Sequence, residues 1–320
     1  MPPNVREQLA GFAAEIARHN LQASADGRAI LEAFEAAGVP LLFLKGLALG
    51  RLAYANPLLK SAIDIDLLIA PADLPPAAGL LRDCGYGLAA PRNSAGDAAL
   101  LRWHRGWKES VWMKAEPPLQ IDLHTRVTDN LRLIPSIGVE SPRQWVEIGN
   151  GIRLPTLADG ELFAYLAVHG AWSAWFRLKW ISDFAGLLHD RAGEEIEGLF
   201  RRSQGLGAGR AAGQALLLAD ALFETLSGAP ELKAALLNDA PIRRLFRAAL
   251  RLLTREPREP TDSRLGSLPI RWTQLFLLPG VGFKLSELSG QAYRVLNRPP
   301  AKSVDALAPG KDRVASEPPP

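Results

Sequence analysis

The segment SAIDIDLLIA, residues 61–70, constrains the fold more than any other stretch of the chain. Ile63, Ile65 and Leu67 alternate with Asp64 and Asp66, which is the period of two of a β-strand with its acids on one face. With Leu68 and Ile69 following, the flanks are those of a buried strand, where acids exposed to no partner are costly. Two carboxylates held side by side repel, and keeping both ionised is unfavourable unless a cation sits between them. Mg2+ (or Mn2+) suits such a pair, because it takes one or two carboxylates plus substrate phosphates in an octahedral shell.

A third carboxylate on a neighbouring strand would let two ions sit about 3.5–4 Å apart, the arrangement that stabilises both oxygens of a phosphoryl transfer. Asp122 is the natural third member. Residues 109–127, ESVWMKAEPPLQIDLHTRV, read as two strands joined at 115–118, and in the second Leu119, Ile121 and Leu123 alternate with Gln120, Asp122 and His124. Upstream, LLFLKG (41–46) is a short buried strand running into Gly46 and a short helix at 47–54, a turn whose backbone N–H groups can meet a triphosphate.

Around this centre the spacing predicts helices at 4–20 and 25–37, the second stopped by Gly38 and Pro40, and a helix at 75–86 closed by Gly85. From about residue 155 the chain changes character: 161–190, 208–226, 231–238 and 241–254 are helix-like with no convincing strand. A boundary near 150 is expected, with a helical domain over 151–300 and a polar, proline-rich, disordered tail over 301–320.

Composition sets limits. A chain with 48% hydrophobic and 22% charged residues can build a core. The net charge of +3 and pI near 9.1 give a mild bias toward anionic ligands, too weak to argue a nucleic-acid binder, so nucleic acid is possible but not favoured as a partner. The single cysteine, Cys84, forms no intramolecular disulfide, and no stretch approaches the roughly 20 apolar residues of a spanning helix. A cytoplasmic location is the expectation.

The run LKG (44–46), a short helix with Tyr54 and Pro57, a basic residue, and then DIDLLI (64–69) resembles the nucleotidyltransferase superfamily with the polymerase-β-type fold. More narrowly it resembles a bacterial family of uncharacterised nucleotidyltransferases, to which IDLHTRV (121–127) and LAVHGAWSAWFRLKWISDFAGLL (166–188) are also similar. The resemblance covers roughly 25–190. It implies an α+β fold: a polymerase-β-like domain over 1–150, a mixed sheet flanked by helices, followed by an all-helical C-terminal domain. It implies that Asp64, Asp66 and Asp122 hold the metals, that Asp122 helps activate the incoming hydroxyl, and that Gly46 lines the phosphates with Lys45 beside it. Lys60, Arg177 and Lys179 are the further candidate triphosphate contacts. The implied reaction is metal-dependent transfer of a nucleoside monophosphate from a nucleoside triphosphate, ATP among the candidates, to a hydroxyl or phosphate of a small molecule or peptide.

Two departures from the pattern stand out. The wider superfamily has Gly-Ser or Gly-Gly at the phosphate turn about ten residues before the acids, whereas here Gly46-Leu47 precedes Asp64 by seventeen intervening residues. Lys60 stands where the narrower family tends to have arginine, and a lysine is a point charge without the bidentate fork. Two other readings therefore stay open: a nucleotide-binding module of the same fold without turnover, and a toxin-like transferase acting on tRNA or protein.

Several other features have a structural reading beside the functional one. His124 shares a face with Asp122 and is a hydrogen-bonded neighbour, an acid/base or a substrate contact. His169, Arg177, Lys179 and Asp183 lie on one helical hairpin, where Arg177 either binds phosphate or pairs with Asp183. Trp103, Trp107 and Trp112 with Arg102, His104, Arg105 and Lys108 form an aromatic–basic group, read first as a half-buried structural cluster and second as a base-stacking patch. Arg243, Arg247, Arg251 and Arg255 recur every four residues, read first as a solvated helix face and second as a contact for nucleic acid or an anionic membrane surface.

Overall fold

A computed structural model describes residues 3–60, 64–91, 96–255 and 266–297. The expectation for 301–320, and the start of the 61–70 strand, lie outside these residues. In chain order the elements are α1 (Pro3–Ala36), β1 (Leu42–Phe43), α2 (Gly46–Tyr54), β2 (Asp64–Leu68), α3 (Leu74–Asp83), β3 (Gly87–Ala90), α4 (Asp97–Gly106), β4 (Glu109–Lys114), β5 (Leu119–His124), β6 (Arg143–Gly149) and β7 (Ile152–Leu157). Helices follow: α5 (Asp159–Trp172), α6 (Leu178–Leu188), α7 (Gly193–Gly205), α8 (Gly209–Phe223), α9 (Pro230–Asn238), α10 (Ala240–Arg255), α11 (Leu268–Gln274) and α12 (Val281–Leu296). The fold is α+β, a mixed five-stranded sheet with helices and a helical C-terminal region.

The sheet has the order β1-β2-β5-β4-β3, in which only β2 and β5 run parallel. Their register sets Asp64 opposite Gln120, Asp66 opposite Asp122 and Leu68 opposite His124. The alternation read from sequence sorts the two faces. Ile65, Leu67, Leu119, Ile121 and Leu123 pack with Ile30 and Phe34 of α1 and Leu81 of α3 in one core, while the acids face the other way, toward the helical half. A second core joins Leu42, Leu44 and Leu68 to Phe163, Trp175, Phe184 and the α8 alanines, so the helical half is welded to the sheet by apolar burial.

Three expectations change. The helices at 4–20 and 25–37 are one continuous α1 of 34 residues. Nothing between them breaks it, and Asn20, a residue that favours caps, instead donates its amide to the carbonyls of Pro57, Leu58 and Lys60. Strands exist beyond those foreseen: β3, and the β6–β7 hairpin, whose second strand reaches Leu157. The aromatic–basic group also divides. Trp103 and Trp107 stack at 5.0 Å, Trp112 is fully buried in the sheet core beneath Arg82, and Lys108 turns to the site described next.

Candidate functional site

The eight metal and triphosphate candidates read from the sequence, Lys45, Gly46, Lys60, Asp64, Asp66, Asp122, Arg177 and Lys179, line one cavity of about 220 Å³. The sheet supplies the floor and α2, α5 and α6 supply the walls. Leu44 N–H donates to the Asp66 carbonyl (3.0 Å), which ties the end of β1 to β2 and brings the next residues over the acids. Gly46 then turns at φ 62°, in the left-handed region that favours glycine, and opens α2 with its N-terminus at the cavity.

Asp66 is the centre of the charge network and is 4% exposed. Its Oδ1 lies 3.0 Å from Lys45 Nζ and 3.1 Å from His124 Nε2. Burial opposes the Asp66 charge, but Lys45 and His124 outweigh it and hold the carboxyl well below the usual range. Lys45 gains in turn: desolvation lowers its pKa, yet Asp66, Tyr165 and Asp64 raise it well above the usual lysine value. Asp64 moves the other way. Burial and the neighbouring Asp66 charge raise it, against Lys45 and Lys179. Asp122 accepts a hydrogen bond from Gln120 Nε2 (2.8 Å) on the same strand face.

His124 has partners on both ring nitrogens. Nδ1 lies 3.3 Å from Lys108 Nζ and 3.5 Å from Glu109 Oε2, and Lys108 and Glu109 are themselves an ion pair. Burial first, then Lys108, keeps its pKa below the usual imidazole value. His169 is likewise depressed, by burial and then by Lys45 and Lys108. Asp66, Asp122 and His124 each offer a ligand atom, all within 4.8 Å of one another.

On the helical wall the Asp183 carboxylate accepts from Lys60 Nζ (2.6 Å) and from the Tyr54 hydroxyl (2.8 Å), so Lys60, which also lines the cavity, is part of a buried bridge between the turn after α2 and α6. The Arg177 guanidinium lies over the Phe176 and Trp180 rings, 5.4 Å from each, at the start of α6. Lys179 stands at the mouth. Desolvation and then Lys60 lower its pKa, against Asp64.

Sequence reasoning did not single out Glu109, Trp175 or Trp180. Glu109 faces His124 in the β4–β5 register, a pairing that the alternation of the two strands could have suggested. Trp175 reaches the cavity through two successive left-handed residues, Ala174 (φ 47°) and Trp175 (φ 56°), which turn the chain between α5 and α6 and lay the indole on Gly170 with no room for a Cβ there. Such backbone costs of order 1–3 kcal/mol per residue and concentrates at functional sites.

A family model described as "Uncharacterised nucleotidyltransferase" matches residues 1–224, from the N-terminus through the end of α8. The chain belongs to this family. No curated protein matches the chain. Membership points to nucleotidyl transfer and to a nucleoside triphosphate as substrate. Among the described residues no helix is long and apolar enough to cross a membrane.

Proposed function

We propose that this nucleotidyltransferase family member transfers a nucleoside monophosphate from an NTP to a hydroxyl or phosphate of an acceptor, releasing pyrophosphate. The observation that carries the reading is the meeting of Asp64, Asp66 and Asp122, from two parallel strands, in a cavity that Lys179, Arg177 and the start of α2 also line. The donor set fits a divalent cation. Buried carboxylates come together with an imidazole within reach of one ion, and the acids repel unless a cation balances them. Mg2+ or Mn2+, when bound, would neutralise charge on the triphosphate and on the leaving pyrophosphate.

The chain's own residues do the positioning. Gly46 and the first turn of α2 present backbone N–H groups and the positive helix end to the phosphates. Arg177 and Lys179 draw the polyphosphate to the mouth. Asp122, oriented by Gln120, takes the proton from the attacking hydroxyl. Lys45 balances Asp66 and keeps that carboxylate ionised. The modest net charge favours a small or peptidic acceptor over a long RNA, and a cytoplasmic setting supplies the NTP.

The test is thermal unfolding of wild type and of Asp64→Asn/Asp66→Asn with each NTP, with and without Mg2+. Ligand at a hundredfold excess over Kd adds about 2.7 kcal/mol of stability. A shift that needs both the metal and the two aspartates supports the reading and names the base. No shift in wild type under any combination overturns it.

A further inference from the structure

We propose that His124 is itself a ligand of the divalent cation, through Nε2, and that this nitrogen makes the site prefer a first-row transition ion such as Mn2+ over Mg2+. The inference rests on the metal-dependent reading above and goes beyond it in naming a fourth donor and the class of ion.

The distances are those of ligands, not only of a hydrogen-bonded pair. Neighbouring donors on one octahedral ion with bonds of about 2.1 Å lie about 3 Å apart. His124 Nε2 and Asp66 Oδ1 are 3.1 Å apart, and Asp122 offers an oxygen within 4.8 Å of both. Burial leaves His124 little room to move. It ends the central strand β5, 1% exposed, with its backbone paired to β2 and β4.

The other ring nitrogen has both a donor, Lys108, and a carboxylate, Glu109, beside it. With the proton on Nε2, the ring donates to Asp66 while Nδ1 accepts from Lys108, 3.3 Å away. With the proton on Nδ1, Glu109 Oε2 is the carboxylate oxygen that faces it, at 3.5 Å, and the Nε2 lone pair points among the acids. The exchange balances: the Nε2 proton leaves to water and Nδ1 takes one up. A carboxylate behind the imidazole is the arrangement that orients a ligating histidine and raises its basicity. The hard Mg2+ ion favours oxygen, whereas imidazole suits transition ions, so a mixed set of carboxylates and one nitrogen shifts preference toward the latter.

The experiment loads the full chain with Mn2+ alone and reads the electron spin-echo envelope for modulation by a directly bound 14N, with Mn2+ and Mg2+ affinities measured by titration. The expected result is a nitrogen signal that changes to the 15N pattern on labelling with 15N-histidine, survives His169→Gln and vanishes in His124→Gln. His169 is the control because it is a histidine that lines the cavity, whereas His124 lies buried beside Asp66. Wild type should bind Mn2+ at least roughly tenfold more tightly than Mg2+, and Glu109→Gln should weaken Mn2+ by roughly 10–100-fold. Should His124→Gln fail to fold, the labelled wild type together with single Gln variants of His19, His104, His169 and His189, each keeping the signal, assigns the nitrogen by elimination. Mn2+ bound without nitrogen modulation, or a signal lost in His169→Gln, overturns this inference and leaves the carboxylate site standing. Failure of wild type to bind either ion, with or without NTP, overturns both.

Discussion

Replacing Asp183 by leucine tests whether the bridge to Lys60 is a structural pair or a spare cation near the phosphates. The two side chains are 9% and 8% exposed, with Nζ and Oδ2 2.6 Å apart, and the second carboxylate oxygen accepts from Tyr54. Asp183→Leu leaves the Lys60 ammonium in a nearly closed site without its partner, a loss of about 3–5 kcal/mol. The Tyr54 hydroxyl also loses its acceptor, which adds about 1 kcal/mol. Lys60→Met strands the carboxylate instead and falls in the same range. The double variant Lys60→Met/Asp183→Leu removes both charges at little change in volume, and is expected to lie near wild type or up to about 1–4 kcal/mol above it. Urea unfolding at pH 7 of the four proteins forms a double-mutant cycle, and the signature is a double variant less damaged than either single one. Single variants within about 1 kcal/mol of wild type, as for a solvated ion pair, would refute the reasoning. So would a double variant as costly as the two singles summed.

Three further outcomes follow from particular contacts. A Cβ on Gly186 would lie 2.7 Å from the Ala53 carbonyl oxygen where α6 crosses α2, so Gly186→Ala should cost about 1–3 kcal/mol in thermal unfolding. Because α2 carries Gly46, the same variant should weaken NTP binding. Gly46→Val forces a β-branched residue into φ 62°, with a cost of roughly 1–2 kcal/mol in stability and a larger loss in NTP-induced stabilisation. His104 is buried against Thr125, and burial, followed by Arg126, lowers its pKa from 6.5 to about 4. The unfolded chain then takes up a proton that the folded chain refuses. Stability is undiminished above about pH 6.5 and falls as pH drops toward about 4, by about 3 kcal/mol in total. The difference in unfolding free energy between wild type and His104→Gln, followed from pH 7 to 4, should show that slope, and parallel curves would contradict it.

Much of the sheet was legible because half-buried strands write their faces into the sequence. Ile65 and Leu67 against Asp64 and Asp66, and Ile121 and Leu123 against Asp122, need only a period of two to be sorted. The β6–β7 hairpin was not legible. In Arg143–Gly149 only Val146 and Ile148 are buried and Trp145 is largely exposed, so one strand carries too little apolar contrast. The long α1 was read as two because apolar spacing says where a helix faces the core and not whether the turns between are broken. In the site, local pattern placed His124 on the face of Asp122, but its relation to Asp66 and Glu109 depends on the register of three strands. The partner of Lys60 lies 123 residues further on, a contact that only the packing of α6 on α2 creates.

The parallel pairing of β2 with β5 also sets the order in which the site comes into being during synthesis. Lys45 leaves the ribosome first, Asp64 and Asp66 next, and Asp122 only 56 residues after Asp66. At about 5–20 residues per second, that interval is roughly 3–11 s. For those seconds the first two acids exist without the third, and without the strand that buries them, while the lysine that balances Asp66 is already made. Asp183 comes later still, so the Lys60 bridge closes last, when α6 docks. The charge of Asp66 is thus matched from upstream, by Lys45, before the sheet can shut around it.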